Sequence, residues 1–566
     1  MSPRKNNREV KKSDPAAKKE AVADAKPMHV PGKGPERMIF YYLGLAIVLL
    51  LIFLIRKNYF NIPFERDEGS YTYAGKIILD GAIPFTDIGS QRLDGVFYAY
   101  ALLVMIFGYS VKAMHIAFLL INMASSVAIF FLVKKVANSL AGLAAAAFFA
   151  LLSMSSAATG FTTQSEHILI LFVIIGFWTL FHFFENKKLL FLVLSGICFS
   201  LAFQIKQTCL FYGVLAGLLL LYKGWFDDKS GMKVNLVHVL VFSLSVIIPI
   251  AIDLFFVYRN GAWDDFMLWL FEVGKQYASS VSFDRGYENF KINFVAIYDD
   301  YKLFWVFAFV AAVWVFFSKM PMWKKIAIVG MFIAGFLTIL PGYRFARHYF
   351  LQWFPAVCVS AAMFIFLLQQ YLQKLKNSSF ALYLPVALVV LPVAINLKSL
   401  NSYYFKPNHT QLLRTIYGYN PFPESKVIAD KLNTVLKPED QIAVLGTEIQ
   451  MYVYTKKKSP SRFAGSGALL EFYVDKSSEW QKEFIADVEK AAPRFLIFYS
   501  VPVSWCANPK VENLLFPWFD KYTKDNYNIF GYADMLPEGT NYVWQSDIDM
   551  NNPPKSQMRV FVYERR

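Results

Sequence analysis

A cluster of acidic side chains follows the first long apolar segment of the sequence. Residues 64–81 read FERDEGSYTYAGKIILDG, which places Asp67 and Glu68 at the start of a polar stretch beside a membrane. A carboxylate at such a boundary can act as a general base or hold a divalent metal ion. The plainer alternative is a solvated loop in which the acids pair with Arg66. The order of the stretch, a helix start followed by an amphipathic turn, favours the functional interpretation.

A second acidic position lies further along the chain, in the segment GFTTQSEHILIL. Glu166 begins an apolar helix there, with Gln164 and His167 on either side. The helix dipole alone would favour an acid at this position. Ionisable groups at membrane depth are costly, however, and usually mark a substrate pathway or a site. Glu166 is therefore our second catalytic candidate.

Basic side chains recur at the same ends of the apolar segments as these acids. They are Arg92, Lys206, Arg344, Arg347 and His348. The phosphate of a membrane lipid would lie at this depth, and arginine binds phosphate through two parallel hydrogen bonds. Lys206 has an alternative explanation, since a lysine at a helix end can extend to the membrane surface.

Other kinds of site find little support. The histidines stand singly, without the spacing of a zinc site, and the four cysteines form neither a metal-type pair nor a disulfide framework. We find no Walker A loop, GxSxG elbow or GxGxxG fingerprint. Asp547 and Asp549 form a DxD pattern of the kind that binds a nucleotide sugar through a metal. On the topology below it lies outside the cell membrane, where nucleotide sugars are generally absent.

The composition indicates a membrane protein that must position these groups. Of the 566 residues, 56% are hydrophobic, 17% aromatic and only 17% charged. The apolar residues fall into blocks of about 16–24 residues, which is the signature of transmembrane helices. The net charge of +15 arises from basic residues beside these blocks, so the positive-inside rule explains it better than nucleic-acid binding does.

Three parts follow from this pattern. Residues 1–37 predict a disordered basic cytoplasmic tail, residues 38–396 a transmembrane core, and residues 397–566 an extracytoplasmic α/β domain. Within the last part, QIAVLGT and RFLIFYSVPV predict strands, whereas ESKVIADKLNTVL and EWQKEFIADVEKA predict helices.

If eleven segments cross the membrane, the lysine and arginine residues between the apolar blocks all fall on one side, together with the N-terminus. The spans are near 38–56, 113–133, 138–158, 165–184, 189–205, 208–222, 234–257, 301–317, 323–341, 349–368 and 380–396. The N-terminus is then cytoplasmic and the C-terminal domain lies outside. The short apolar run 95–108 predicts an interfacial or re-entrant helix. The loop 259–300 is rich in aromatic residues, namely Trp263, Trp269, Tyr277 and Tyr287, and predicts a segment that covers the cavity, contacts a sugar or packs against lipid headgroups.

At these residues the sequence resembles the GT-C glycosyltransferases, in the bacterial branch similar to dolichyl-phosphate-mannose–protein mannosyltransferases and aminoarabinose transferases. The first-loop pattern RDEGSYTYAGKIILDGAIPFTDIGSQRLDGVFYAYAL is similar to the acidic loop of that family. TQSEHILIL, LAFQIKQTCLF and RFARHYFLQWFP follow in the expected order. The resemblance covers the membrane region and continues more loosely into the start of the C-terminal domain.

The resemblance implies an enzyme of the bacterial inner membrane that moves a sugar, with inversion, from a polyprenyl-phosphate carrier to a hydroxyl of a lipid, glycan or protein. Membrane lipids, donor and acceptor would be its partners, and nucleic acid would not. Asp67 would deprotonate the acceptor or, with Glu166, help to hold a divalent cation such as Mg²⁺ or Mn²⁺, and Glu68 is a further catalytic candidate. The donor phosphate would meet the residues Arg92, Lys206, Arg344, Arg347 and His348. Gln164, His167 and Tyr71 are candidates for contacts with the acceptor or the sugar.

One departure and two alternatives remain. The family often has prolines after the basic residue of the first loop, whereas Leu93, Asp94 and Gly95 follow Arg92 here. A transporter or flippase of lipid-linked glycans would also suit many spans and buried charges. We see no internal repeat of the apolar pattern, and the charges cluster at one face. A structural or sensory membrane protein would leave the acid–base clusters unexplained.

Overall fold

The structure, a computed structural model, describes residues 35–375, 378–472, 474–548 and 553–566. Most of the predicted basic tail lies outside the described residues. The described chain is mostly helical, and its strands form a small sheet towards the C-terminus.

Among the described residues, sixteen α-helices precede residue 400. Their bounds are Pro35–Arg56 (α1), Arg66–Leu79 (α2), Gly95–Phe107 (α3), Val111–Val136 (α4), Ser139–Leu152 (α5), Glu166–Asn186 (α6), Leu189–Ile205 (α7), Leu210–Tyr222 (α8), Met232–Arg259 (α9), Trp263–Met267 (α10), Gly274–Ala278 (α11), Phe283–Asp300 (α12), Lys302–Trp314 (α13), Met322–Ile339 (α14), Phe354–Lys374 (α15) and Ser378–Ser399 (α16). Every predicted span coincides with one of them, namely α1, α4–α9 or α13–α16. A 3-10 turn, Arg347–Gln352, precedes α15, which therefore begins later than predicted.

Seven helices in the described part of the chain are long and apolar enough to cross a membrane by themselves. They are Met38–Tyr59, Val111–Val136, Glu166–Asn186, Gln207–Asp227, Met232–Arg259, Met322–Ile339 and Phe354–Lys374. An eighth is counted if Phe283–Asp300 and Lys302–Phe317, which are bent by 103°, form one broken span. The polytopic helical class is thus confirmed. The remaining predicted spans lie on shorter apolar helices, so the total of eleven stays a prediction.

The helix α5 shows why some spans are short. All residues from Ala144 to Leu152 are buried, and α5 packs against α1, α4 and α15. A helix that is apolar on every side belongs in the interior of a bundle. Other helices therefore surround α5, and its length need not match the thickness of the bilayer.

Two helices in the first loop confirm the predicted juxtamembrane elements. They are α2 and α3, which pack against each other at Gly75, where an added Cβ would lie 2.7 Å from the backbone nitrogen of Ala101. Gly95 makes a similarly close approach to Gln204 at the end of α7, where an added Cβ would lie 2.7 Å from the Gln204 Cβ. The two helices are thereby fixed to the end of the bundle.

The C-terminal part carries a mixed sheet with helices around it. The helices are Asn401–Phe405 (α17), His409–Tyr417 (α18), Phe422–Asn433 (α19), Gln450–Thr455 (α20), Val474–Ala491 (α21) and Leu515–Asn526 (α22). The strands are Ile442–Leu445 (β1), Phe495–Ser500 (β2), Tyr527–Leu536 (β3), Gly539–Trp544 (β4) and Arg559–Arg565 (β5). The sheet order is β1-β2-β5-β3-β4, with β1 and β2 parallel and the other pairs antiparallel. The α/β character predicted from the sequence is confirmed.

The segment after α16 is attached to the helical core. Tyr403 donates its hydroxyl proton to the Met154 carbonyl at 2.6 Å, and Asn58 Nδ2 donates to the Tyr404 carbonyl at 3.0 Å. Further along, α20 packs on α2, where an added Cβ at Gly69 would lie 2.5 Å from the Gln450 Cβ. The sheet domain is thereby held against the start of α2. The boundary at residue 397 stays a prediction.

Candidate active site

The N-terminal end of α2 places Asp67 at the rim of a cavity. Glu65 caps the helix, because its Oε1 accepts from the Glu68 backbone N–H at 2.8 Å while Glu68 Oε2 accepts from the Glu65 N–H at 2.9 Å. This reciprocal capping fixes the first turn of the helix. Asp67 lies within that turn, and its side chain is 31% exposed and lines the cavity. The capping box therefore positions Asp67 without occupying its carboxylate.

Glu68 itself is buried beside α2. Its Oε1 accepts from the Thr163 backbone N–H at 2.5 Å and from the Thr163 hydroxyl at 2.9 Å, and Gln164 Nε2 donates to Glu65 Oε1 at 2.8 Å. Burial raises the pKa of Glu68 to about 7, although the hydrogen bonds to its carboxylate oppose that shift. These bonds tie α2 to the segment that leads into α6. The catalytic role of Glu68 stays a prediction.

Glu166, Lys206 and His348 meet next to Asp67. Lys206 Nζ lies 2.6 Å from Glu166 Oε1, and both side chains are buried. His348 Nε2 lies 4.0 Å from that oxygen and 3.8 Å from Asp67 Oδ2, so the imidazole stands between the two acids. Burial lowers the pKa of His348 below its usual value even though both acids oppose the shift, so the ring is neutral near pH 7.

Arg92 faces Asp67 from the first loop. Its Nη2 lies 3.8 Å from Asp67 Oδ2, and its guanidinium lies over the Tyr71 ring, 5.1 Å from the centroid. Its Nη1 is buried and has no hydrogen-bond partner among the described residues. A buried N–H group without a partner is costly, and an anionic ligand would satisfy it. Arg92 is thus arranged to receive an anion.

A second arginine reaches the same cavity from the segment before α15. The Arg344 guanidinium lies 3.7 Å from the centroid of the Tyr277 ring, and its Nη2 donates to Ser280 Oγ at 2.8 Å. The Tyr277 and Tyr349 hydroxyls are 3.2 Å apart, and Lys206 Nζ lies 3.6 Å from the centroid of the Tyr349 ring. Aromatic faces thus hold three of the cations, Arg92 included, by cation–π attraction. The loop 259–300 contributes to the site through Tyr277.

Two cavities meet at this cluster. The polar cavity, of about 490 Å³, lies between α2, residues 87–92, residues 344–349 and the C-terminal domain. The apolar cavity, of about 530 Å³, extends towards α9 and is lined by Leu93, Phe203, Ile250, Leu254, Phe266, Leu270 and Phe271 among others. Both include the residues Gln91, Arg92, Tyr277 and Tyr349. The cations therefore stand where a polar space adjoins an apolar one.

The structure separates the predicted site residues into two groups. Asp67, Tyr71, Arg92, Arg344 and His348 line the polar cavity, while Lys206, in the wall of the apolar cavity, binds Glu166. The other predicted residues, Glu68, Gln164, His167 and Arg347, are not among the lining residues of either cavity.

Within the second group, two side chains are fully buried. They are Gln164 and His167, and His167 Nε2 lies 3.0 Å from the Gly160 carbonyl oxygen. Arg347 begins the 3-10 turn, beside Arg344 and His348 in sequence. The roles of these three residues stay predictions.

The predicted metal pair has little room for an ion. Asp67 faces Arg92, and Glu166 is bonded to Lys206, so each carboxylate already has a cation beside it. Within the described ranges, no group of three or more His, Cys, Asp and Glu side chains is arranged to hold a metal ion. The residues therefore do not form a ready-made divalent site, and we derive no step through a metal.

The C-terminal domain supplies wall residues that sequence reasoning missed. Thr447, Phe463 and Glu471 line the polar cavity. Burial raises the pKa of Glu471 to about 7, although Arg344 and Arg66 oppose the shift. They lie far from Asp67 in sequence. The available signal was that Thr447 follows a predicted strand, since the ends of parallel strands commonly bind ligands.

The fold defines the class of the protein as a polytopic helical membrane protein with a GT-C-like fold and a small C-terminal sheet domain. A family model described as dolichyl-phosphate-mannose-protein mannosyltransferase matches residues 95–252. The resemblance predicted from the sequence is thereby confirmed. A search of curated protein sequences found no match.

Solved structures share this fold at low sequence identity. ArnT from Cupriavidus metallidurans bound to undecaprenyl phosphate is 12% identical, with a TM-score of 0.56 over 93% of this chain and 98% of that chain. Its apo state gives a TM-score of 0.54 at the same identity and coverage. The Archaeoglobus fulgidus oligosaccharyltransferase in complex with Zn and sulfate is 14% identical, with a TM-score of 0.51 over 90% of this chain and 74% of that chain.

Proposed function

We propose that the protein transfers a sugar from a polyprenyl-phosphate carrier to a hydroxyl of a lipid, glycan or protein acceptor. The observation that carries this proposal is the position of Arg92. Its guanidinium lies beside Asp67 in the polar cavity and also lines the apolar cavity. A donor in which a phosphate joins an apolar chain to a sugar fits this arrangement, in which the apolar cavity, the Arg92 cation and the polar cavity follow one another.

The donor lies across the two cavities in this proposal. Its hydrocarbon occupies the apolar cavity, where burial of apolar surface is favourable. Its phosphate lies at the shared wall beside Arg92 and Tyr349, close to Lys206. Its sugar enters the polar cavity towards Asp67. The ArnT structure contains undecaprenyl phosphate, a lipid of this chemical class, on the same fold.

Asp67 is the general base of the proposed reaction. Its carboxylate accepts the proton of the acceptor hydroxyl, and the acceptor oxygen attacks the anomeric carbon. The bond between that carbon and the phosphate oxygen breaks, and the polyprenyl phosphate leaves with the electron pair. A single displacement inverts the anomeric configuration. The partly exposed Asp67 carboxylate lies in the cavity that an acceptor would enter.

The cations stabilise the phosphate as it leaves. Arg92 has an unpaired Nη1 and Arg344 an unpaired Nε among the described residues, and both atoms are buried. Preorganised donors in a largely dry site stabilise developing charge strongly. Lys206 neutralises Glu166, which keeps a second negative charge from opposing phosphate binding.

The membrane orientation forms part of the proposal. We place the protein in a bacterial inner membrane, with the cavities and the C-terminal domain on the outer side. The basic residues between the helices then face the cytoplasm. The divalent cation predicted from the sequence takes no part in the proposed step, and addition of EDTA to the assay tests the need for one separately.

Mass spectrometry of cell-surface glycolipids and glycoproteins, with and without the gene, tests the function. We expect one sugar to disappear from one class of acceptor when the gene is deleted and to return on complementation. An unchanged surface glycan profile, with accumulation of a glycan on one membrane face instead, would favour a flippase.

A further inference from the structure

One wall of the polar cavity lies at the edge of a parallel strand pair in the C-terminal domain. β1 and β2 run parallel, so their carboxyl ends lie at the same edge of the sheet. Ser504, which follows β2, donates its hydroxyl proton to Glu448 Oε1 after β1 at 2.7 Å. Arg66 at the start of α2 donates to the Val503 carbonyl at 2.8 Å. Hydrogen bonds therefore fix this edge against the base-bearing helix.

Two polar side chains of the wall line the polar cavity. Thr447 is 5% exposed, and its Oγ1 is buried without a hydrogen-bond partner in the part of the chain that the structure describes. Glu471 lines the same cavity, in the electrostatic field of Arg344, Arg66 and Asp67. A buried hydroxyl left without a partner destabilises the protein unless a ligand or water completes it.

The surrounding side chains give this wall a mixed character. The Phe463 ring lines the cavity, with the Arg462 guanidinium 4.8 Å from its centroid. Glu483 holds Arg462 through two hydrogen bonds, of 2.7 and 3.0 Å, so this arginine is already neutralised. Tyr71 and Asp67 of α2 line the same cavity. The cavity is thus lined both by aromatic rings and by side chains that can donate or accept hydrogen bonds.

This chemistry favours a ligand with several hydroxyl groups. A hydroxyl can donate to the Glu471 carboxylate, and it can donate to or accept from Thr447 Oγ1. An alkyl chain would leave both polar groups unpaired, and a site that leaves buried polar groups unpaired rejects such a ligand strongly. The C–H faces of a sugar ring would suit the aromatic rings at the same time.

We propose that Glu471 and Thr447 bind hydroxyls of the acceptor in the cavity that Asp67 also lines, and that the acceptor is a sugar residue of a glycan or glycolipid. This inference rests on the proposed function, because it takes the polar cavity as the place of transfer. Glu471 is a binding residue here, and Asp67 remains the base. The C-terminal domain thereby selects the acceptor, while the helical core holds the donor.

The test uses the full chain in lipid nanodiscs. Delipidated envelope glycans from cells that lack the gene supply the acceptor at varied concentration, and the lipid extract of those cells supplies the donor at a fixed concentration. The variants are Glu471→Gln and Thr447→Val. The matched control is Glu479→Gln, an exposed carboxyl of the same domain that pairs with Lys476. Binding of undecaprenyl phosphate and the thermal midpoint of unfolding are measured for each protein.

We expect Glu471→Gln to raise the half-saturating acceptor concentration about tenfold or more, since a hydrogen bond to a charged group is lost. Thr447→Val should also raise the half-saturating acceptor concentration. Undecaprenyl phosphate binding and the thermal midpoint stay at the wild-type values, and the control is unchanged throughout. Linkage analysis of the wild-type product shows the transferred sugar on the hydroxyl of another sugar.

Two results would overturn the inference. One is a half-saturating acceptor concentration that equals the wild-type value in both single variants, Glu471→Gln and Thr447→Val. The other is attachment of the transferred sugar to a serine, a threonine or a glycerol. Failure of the proposed function gives a different pattern, in which the wild-type protein forms no product or Asp67→Asn is as active as the wild type.

Discussion

Lys206 Nζ lies 2.6 Å from Glu166 Oε1 in a buried ion pair that joins the end of α7 to the start of α6. His348 stands beside this pair and reaches towards Asp67, which in turn faces Arg92. Two acid–base pairs, Lys206–Glu166 in the interior and Arg92–Asp67 at the cavity rim, therefore stand on either side of the neutral His348 ring. The arrangement holds the base and the phosphate-binding cations in a fixed geometry before a substrate arrives.

Breaking the buried pair on one side should destabilise the protein. Lys206→Ala leaves the Glu166 carboxylate buried without its partner, which typically costs about 3–5 kcal/mol. The double variant with Lys206→Met and Glu166→Gln removes both charges and should recover much of that loss. Thermal unfolding in detergent measures the effect. Lys302→Ala, which breaks an exposed pair with Asp299, is the control and should change little. If the Lys206→Ala protein were as stable as the control, Lys206 and Glu166 would not form a stabilising buried ion pair.

Arg92 should contribute strongly to binding of the carrier phosphate. Arg92→Ala removes charge-assisted hydrogen bonds worth about 1.5–3 kcal/mol, which corresponds to a loss of roughly 10- to 100-fold in affinity for undecaprenyl phosphate. Arg92→Lys retains the charge and should lose less. Titration in nanodiscs gives the dissociation constants, with exposed Arg285→Ala on α12 as the control. Equal affinities for Arg92→Ala and the control would remove Arg92 from the phosphate site.

Stability should fall as the pH rises through neutrality. Burial raises the pKa of the Glu448 carboxyl to about 7, above its usual value of about 4.5, although Arg66 and Ser504 oppose that shift. The folded state therefore binds more protons than the unfolded state between these values, and the free energy of unfolding decreases from about pH 4.5 to about pH 7. For one group the change is on the order of 2–3 kcal/mol.

Glu448→Gln should reduce the slope of this dependence, while Glu68 and Glu471, whose pKa values are also raised to about 7, retain part of it. Thermal midpoints measured between pH 5 and pH 8, in steps of about half a unit, compare the slopes of the variant and the wild type. Glu479→Gln, at an exposed surface position, should leave the slope unchanged. A wild-type midpoint that rises across this range would contradict the direction of the shift.

Cys506 offers a direct test of membrane orientation. It is exposed on the C-terminal domain, whereas Cys198, Cys209 and Cys358 are buried. A maleimide that cannot cross membranes should label intact cells at Cys506 if this domain lies outside. Cys506→Ser should abolish the labelling. Labelling that occurs only after the membrane is permeabilised would place the domain in the cytoplasm.

The helices of the membrane core could be predicted from the sequence because each is marked by a local pattern of residues. Long apolar segments separated by lysines predict helices directly, and every predicted span coincides with a helix. The α2–α3 pair was predictable from its polarity and length. The sheet was only partly predictable: β1 and β2 are short apolar runs, whereas β3 carries Asn528, Gly531 and Asp534, which disfavour strands locally. Its pairing with β4 and β5 outweighs that preference.

The candidate site was likewise only partly predictable from the sequence. The cavity position of Asp67 and Arg92 follows from elements that the sequence identifies. Burial of Gln164 and His167 depends on how the segment before α6 folds back onto α2, which no local pattern encodes. Glu471 enters the cavity only because a separate domain docks on α2, and this long-range contact leaves no signal in spacing or composition.

The catalytic role of Asp67 is the central claim of this account, and the transfer rate of Asp67→Asn tests it most directly. The substitution preserves the shape of the side chain but removes the base, so we expect transfer to fall by about 100-fold or more. Undecaprenyl phosphate binding and the thermal midpoint should remain close to the wild-type values. A folded Asp67→Asn protein that transfers sugar at the wild-type rate would contradict the account.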